Sequence, residues 1–456
     1  MISGDILVFL GGEGEIERCC DLIFARDEKR ELWILPCYSS LPFEEQNKVF
    51  EPAPDGYKRK VQVSVIVSGR FFLSHQYTFS KLHFLQVVVA TNIAETSITI
   101  DGIVYVVDSG IVKQSEYDPQ KKLTTLDIMQ ITKAQAIQRA GRAGRTRPGK
   151  CFRLYTEYIF NTMPKAPVPE IVRSNLESTV LMLAAHGVED ISSFEFMDPP
   201  PRQTIEASVA ELKDLEALDS NGRLTPLGRQ ISRFPLEPKL SKALIMSVDL
   251  KCTDEILTLT SIFSVQNSGR IFLRPKKERN LADSRKAAFF KPEGDHHTYL
   301  NVFTQWQRQN YSWEWCHQNY INLRALEEVL AIREQLEYVL ELTNLKVTPS
   351  FSLPDPQAIQ KCIASGYFSR IAHKTARGHG YVTYANPDEK EQVFIHPSSA
   401  LFKSKPSWII YEELKNTGNK AFLINVVAVD PRWIKEYAPQ FFEKLKRVFP
   451  QLMYCF

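Results

Sequence analysis

No stretch of the chain approaches about 18 consecutive apolar residues, so none reads as a membrane-spanning helix. The one early apolar run, Ile6 to Leu10, is short, follows Asp5 and lacks a basic flank, which argues against a signal peptide. Cysteine is sparse: eight residues stand at 19, 20, 37, 151, 252, 316, 362 and 455, with no Cys-x-x-Cys pair among them. A chain of this size needs no disulfide staples, so a reduced compartment, cytosol or nucleus, is expected. Bulk charge is lacking too. Lys and Arg number 56 against 53 Asp and Glu, a net +3. That excludes a polycationic tail protein and leaves nucleic-acid contact to local clusters. There is no internal repeat and no low-complexity tract. What is present is 456 residues, 44% apolar and 24% charged, the balance of a soluble globular chain. That length suits about three domains, each with its own core.

The first 160 residues alternate short β runs with helical patterns. Strands are expected at 5–10, 32–35, 87–91, 102–108 and 151–155, and helices at 15–26, 43–50 and 133–143. Continuous apolar strands separated by helices predict a parallel sheet covered on both faces. Ligands of such sheets sit at the carboxyl ends of the strands. From about 170 to 345 the pattern is helical. Ile205, Val209, Leu212, Leu215 and Leu218 repeat along one helix face, and the turn Asn221-Gly222 then leads to Arg223-Leu-Thr-Pro-Leu-Gly228. Helix, tight turn and short strand together suggest a winged helix. A polar, Lys/Arg-rich loop is expected at 274–286. From about 347 to 430, short alternating runs at 381–384, 392–395, 408–411 and 422–429 suit a small β-barrel.

The strongest chemical signal is Gln138-Arg-Ala-Gly-Arg142-Ala-Gly-Arg145-Thr-Arg147-Pro-Gly149. Six basic residues lie within 139–153 (Arg139, Arg142, Arg145, Arg147, Lys150 and Arg153), with no acid among them. Arg142 and Arg145 are three apart, so on a helix they share a face. The small residues between them let a backbone or a phosphate approach. Guanidinium forks match phosphate oxygens and stay charged, which suits the transition state of phosphoryl transfer. The plainer alternative is a solvated basic face or a patch for the RNA backbone.

This segment resembles the last motif of superfamily 2 helicases in the form used by DEAH-box RNA helicases. Ala90-Thr-Asn-Ile-Ala-Glu-Thr-Ser-Ile-Thr-Ile-Asp-Gly102 is similar to their preceding motif, and Val106-Val-Asp-Ser-Gly110 follows it. Tyr38-Ser-Ser-Leu-Pro42 and Phe50-Glu-Pro-Ala-Pro54 also fit, as do Asp198-Pro-Pro-Pro201, Phe234-Pro-Leu-Glu-Pro238, Ser264-Val-Gln-Asn267, Glu293-Gly-Asp-His296, Ser365-Gly-Tyr-Phe368 and Ile395-His-Pro-Ser-Ser399. Nearly the whole chain is covered, and the flavour is that of the spliceosomal branch. The resemblance implies a second RecA-like domain at 1–165, a winged helix at 166–236, a helical ratchet-like domain at 237–345, an oligonucleotide-binding barrel at 346–435 and a tail at 436–456. It implies an ATP-dependent RNA helicase of 3′–5′ type acting in the nucleus or cytosol, with single-stranded RNA, spliceosome components and a glycine-rich activator as partners and no membrane. Maturation of rRNA, or a non-catalytic binding fragment, are the alternatives.

By the same resemblance Arg142 and Arg145 reach the γ-phosphate and Gln138 helps place the attacking water. Asp101 holds the nucleotide ribose, and Phe50 stacks on adenine unless it is a core residue. Thr91, Asn92 and Ser39 contact the RNA backbone, although a Thr-Asn strand end also serves as a turn cap. Residues 111–131 occupy the place of a β-hairpin. His296-His297 is expected to serve packing or a helix start rather than a metal, and no metal ligands are expected here. Trp306, Trp313 and Trp315 are expected to pack between helices rather than stack bases.

Four features depart from the family. No Gly-x-x-x-x-Gly-Lys-Ser/Thr and no Asp-Glu-Ala-His occurs in this sequence, so the ligands for the magnesium of ATP are expected elsewhere and this chain alone should not hydrolyse ATP. Residues 61–86 are extra, and apolar and aromatic in character. Because Val codons begin GT and Gln can be encoded CAG, we read that block as a translated intron, with a lineage-specific loop as the alternative. Gly11 and Glu13 stand where relatives carry a hydroxyl and an amide. Lys415–Lys420 only loosely matches an RNA-touching loop, and 269–271 reads as a small insertion.

Overall fold

The computed structural model describes residues 4–28, 31–38, 41, 43–51, 66–67, 70–71, 86–96, 98–119, 123–145, 148–266, 271–275, 278–345, 347, 355–375, 380–385, 392–417 and 420–450. The chain divides into two compact units, 1–115 with 126–169, and 116–125 with 170–456.

The strands of the first part run in chain order β1 (Asp5–Phe9), β2 (Trp33–Cys37), the short antiparallel pair β3 (Ile66–Val67) and β4 (Arg70–Phe71), β5 (Gln86–Ala90), β6 (Ile103–Asp108), the hairpin β7 (Ile111–Asp118) and β8 (Leu123–Gln130), and β9 (Lys150–Arg153). Five of them form the sheet of the first unit in the order β2-β5-β1-β6-β9, with every neighbouring pair parallel. Successive residues alternate between two cores. Ile6, Val8, Val87, Val89 and Val107 pack on one face with Ile16 of the helix Glu13–Arg26. Leu7, Phe9, Val88, Ala90 and Val106 pack on the other with Val49 and Ala143. Double coverage explains why these strands read as unbroken apolar runs. The expected extra block at 61–86 lies largely outside the described residues. Its last residue, Gln86, opens β5 and is buried, its amide donating to the Val49 carbonyl at 3.0 Å.

In the second unit the helix Arg202–Asp214, the β-bridge Leu218–Leu224 around Gly222 (φ +83°) and the helix Pro226–Ile231 make the winged-helix arrangement. The long helices Pro238–Asp249, Thr253–Gln266, Asp295–Arg308 and Leu323–Leu342 share one continuous core. The remaining strands are β10 (Ile371–Lys374), β11 (Tyr381–Thr383), β12 (Phe394–Ile395), β13 (Trp408–Thr417) and β14 (Lys420–Ala428), in a mixed sheet ordered β11-β10-β13-β14-β12.

Three expectations need correction. Part of the expected loop at 274–286 is the helix Arg279–Ala287, with Ala282 buried and Arg274 gripping Asp283 through bonds of 2.8 and 2.7 Å. The barrel region opens with a helix, Pro356–Tyr367, started by Asp355 as N-cap with Pro356 at the first position. The segment expected as a tail contains the helix Pro439–Val448, which buries Phe441, Phe442 and Leu445 in the main core.

Candidate functional site

The basic motif sits on a deliberately started and abruptly tightened helix. Thr132 and Gln135 form a reciprocal capping box, in which Thr132 Oγ1 accepts from the Gln135 N–H at 3.3 Å and Gln135 Oε1 accepts from the Thr132 N–H at 3.0 Å. The α-helix runs Lys133–Gly141 and then narrows to a 3₁₀ turn, Arg142–Gly144. Residues three apart eclipse in that geometry, so Arg142 and the adjoining Arg145 line up on one side. Together with Gln138, Gly141 and Glu95 they line an open pocket of about 330 Å³. A β-carbon built on Gly141 or Gly144 meets nothing within 4 Å. Packing within the chain therefore does not require glycine at either place. The empty space faces outward, where a phosphate could approach.

Both arginines rest on the segment that follows β5. Arg142 donates to the Ile98 carbonyl at 3.0 Å and to the Glu95 carbonyl, and Arg145 donates to the Thr99 hydroxyl at 2.6 Å. Partial burial, then the charge of Arg145, pull the pKa of Arg142 below its ordinary value. Two like charges held this close form a locus that an anion would relieve.

The third arginine of the motif behaves differently. Arg139 is fully buried and faces inward. Its Nε donates to Glu95 at 3.0 Å, and its Nη1 donates to Asp108 at 2.9 Å and to the Ile111 carbonyl at 3.1 Å. Its plane lies over the Phe9 ring, 4.8 Å from the centroid. Burial raises the pKa of Glu95, and Arg139 pulls it back in part. Breaking a buried pair of this kind costs about 3–5 kcal/mol. Of the six basic residues within 139–153, Arg139 therefore serves the interior of the domain and not its surface.

Thr91 and Asn92 end β5 and start the short helix Ile93–Thr96. The Thr91 hydroxyl accepts from the Ile93 N–H at 3.4 Å, so the capping role is realised, while Asn92 is exposed. Asp101 is exposed in the turn before β6, next to Gly102 at φ +85°. Phe50 is 53% exposed, and its neighbour Val49 is the core residue. Phe50 is thus available for stacking and is not part of the core. Ser39 lies outside the described residues. Gly11 N–H is capped by the Glu15 carboxylate at 3.0 Å at the start of the first helix.

Among the described residues no group of three His, Cys, Asp or Glu is placed to hold a metal ion, and no helix is long and apolar enough to cross a membrane. His296 and His297 are buried. His296 meets the Phe263 ring edge-on, and burial brings its pKa down to about 3, a packing role. Trp306 is buried and Trp315 packs on Phe289, as expected of core residues. Trp313 is the exception: it is 55% exposed and stacks on His317.

Comparison with known proteins accounts for these parts. Residues 76–147 match the helicase conserved C-terminal domain and residues 208–236 the winged-helix part of the helicase-associated domain. Residues 237–299 match the ratchet-like part of that domain, and 359–441 the oligonucleotide/oligosaccharide-binding fold. The chain is 44% identical over 446 residues, 96% of its length, to the pre-mRNA-splicing factor ATP-dependent RNA helicase prp22 of Schizosaccharomyces pombe. The chain thus carries, in order, a helicase conserved C-terminal domain, a winged helix, a ratchet-like region and an oligonucleotide-binding fold. It spans 35% of the length of that relative. Arg142 and Arg145 lie within the segment that matches the helicase conserved C-terminal domain. The match to the helicase domain opens at residue 76, inside the block expected to be extra.

Proposed function

We propose that this chain supplies the second RecA-like half of an ATP-dependent RNA helicase motor, and that the whole protein remodels RNA–protein complexes during pre-mRNA splicing in the nucleus. The observation that carries this reading is the convergence of Arg142, Arg145 and Gln138 on one open pocket. Two guanidinium groups there suit the charge that develops on a transferring phosphoryl group, and Gln138, which lines the same pocket, would orient a water. Asp101 would hold the ribose and Phe50 the adenine. Thr91, Asn92 and Ser39 would bind the backbone of single-stranded RNA without reading bases. Guanidinium groups fit a triphosphate. They do not fit magnesium, and Glu95, the pocket's carboxylate, is taken up by Arg139. The metal's ligands therefore belong to a phosphate-loop domain that this sequence does not contain. The extent of each domain is proposed as 1–165, 166–236, 237–345 and 346–435. A glycine-rich activator is proposed by the same family resemblance.

The test is RNA-stimulated ATP hydrolysis by a protein that joins this chain to its phosphate-loop domain. Arg142→Ala and Arg145→Ala should each lower kcat by about 10³-fold or more while RNA binding persists. Unchanged turnover would overturn the reading. The alternative, a non-catalytic RNA- or partner-binding role, predicts RNA binding without turnover in the same joined protein. A complex that co-purifies with ribosomal precursors rather than spliceosomes would redirect the proposal to rRNA maturation.

A further inference from the structure

We propose that Arg139 is a positioning residue: it clamps the short helix Ile93–Thr96 so that the Thr91-Asn92 turn and the Arg142/Arg145 pair move as one body. Glu95 is where the two ends meet. Its carboxylate is fixed by Arg139 Nε at 3.0 Å, and its backbone carbonyl accepts from Arg142. Two arginines from the end of one helix therefore hold a single residue by its side chain and by its main chain. The same residue is tied to the other end of the short helix, because the Glu95 N–H donates to the Asn92 carbonyl at 2.9 Å. Any displacement of Asn92 reaches the acceptors on which Arg142 and Arg145 rest within three to seven residues of chain.

The clamp is anchored rather than floating. Arg139 Nη1 also donates to Asp108 at the end of β6, at 2.9 Å, and to the Ile111 carbonyl at 3.1 Å. Asp108 is held from its other sides by the Tyr155 hydroxyl at 2.8 Å and the Gly110 N–H at 3.0 Å. The strand β6 and the neighbouring β9 region thus set where the short helix lies. A lysine at 139 keeps the charge but presents a single ammonium, which cannot serve Glu95, Asp108 and a carbonyl in the fixed directions of a guanidinium fork. The clamp stands on geometry alone. Only its consequence for phosphate rests on the function proposed above.

The experiment uses the full chain and two readouts, amide hydrogen exchange and binding of inorganic tripolyphosphate at low salt. The N–H groups of Ala94, Glu95 and Ile98 are bonded within the turn, to the carbonyls of Thr91, Asn92 and Ile93. In Arg139→Lys their exchange should quicken by about tenfold, the loss of roughly one charge-assisted hydrogen bond, with the amides of β1 and β5 unchanged. Tripolyphosphate should bind about tenfold more weakly. Val106→Ala, which thins the core of the same sheet, should quicken exchange across all strands and leave tripolyphosphate affinity alone. Wild-type exchange at 94–98 in Arg139→Lys, or a loss spread as evenly as in Val106→Ala, would overturn the proposal. Should Arg139→Lys not fold, Tyr155→Phe, which removes only the hydroxyl that steadies Asp108, is judged by the same two criteria. Arg145→Ala separates the two claims. If it leaves tripolyphosphate binding intact, the phosphate reading fails, and the exchange data alone decide the clamp.

Discussion

Gly366 lies against the backbone of Lys239 so closely that a β-carbon on it would run into the Lys239 carbonyl oxygen. The two residues bring the helix Pro356–Tyr367 onto the helix Pro238–Asp249, backbone to backbone. Here glycine is required for close approach and not for an unusual dihedral angle. Gly366→Ala should therefore destabilise the second unit by about 1–3 kcal/mol, the usual range for overpacking. A lowered urea midpoint, followed by the fluorescence of the buried Trp306, measures it. A wild-type midpoint would mean that the two helices separate without cost.

Two glycines of the basic motif should behave in opposite ways. Gly141 has open space where a side chain would go, whereas a β-carbon on Gly149 would strike the carbonyls of Ala143 and Val104. Gly149→Ala should destabilise the first unit by about 1–3 kcal/mol. Gly141→Ala should stay within about 0.5 kcal/mol of wild type, as surface changes do. Its effect should appear instead as weaker binding of tripolyphosphate, because the added methyl enters the pocket lined by Gln138, Arg142 and Arg145. Thermal denaturation and a tripolyphosphate titration of both variants check the pair. Loss of stability in Gly141→Ala would place that glycine in packing after all.

How much of this was legible depended on whether the decisive neighbour was near in sequence. The parallel sheet was readable because Ile6 to Phe9, Val87 to Ala90 and Ile103 to Val107 are buried on both faces and leave apolar runs. The strands of the barrel were readable from alternation and turns, whereas the hairpin at 111–131 followed only from the family resemblance. The helix Pro356–Tyr367 carries an ordinary start signal in Asp355 and Pro356, but the short alternating runs that follow it are the stronger pattern in the sequence. The C-terminal helix is hard to read as part of the core because the partners of Phe441, Phe442 and Leu445 lie far away in the chain. Arg139 was unreadable in principle. It differs from Arg142 in being buried and paired with the carboxylates of Glu95 and Asp108, which stand 44 and 31 residues away in the chain.

The expectation that residues 61–86 are a translated intron has a direct consequence. Trypsin cuts after Arg70 and Lys81, so the segment would release a peptide from Phe71 to Lys81. Mass spectrometry of the protein isolated from its own cells should lack that peptide and show Val87 following directly after the Lys58-Arg59-Lys60 cluster. Detection of the 71–81 peptide would establish the block as part of the protein. The helicase-domain match that opens at residue 76 would then describe a genuine boundary.

Glu412 on β13 provides a pH dependence whose sign can be worked out. Burial pushes its pKa up to about 8, with the carboxylates of Glu237 and Glu413 adding to the shift. The Asn425 amide, which donates to Glu412 Oε2 at 2.6 Å, and the charge of Arg370 oppose it. The folded pKa is therefore above the ordinary value of 4.5. Below about pH 4.5 the group is protonated in both states and costs nothing. Between about 4.5 and about 8 the unfolded chain releases a proton that the folded chain retains, so the contribution of this group to stability falls as pH rises. Glu412→Gln removes the titration and keeps an oxygen to accept from Asn425. The variant should match wild type near pH 5 and exceed it increasingly up to pH 8.5, as read by urea midpoints across that range. A constant difference between the two proteins would show that Glu412 ionises as freely in the folded chain as in the unfolded one, and that Arg370 and Asn425 outweigh its burial.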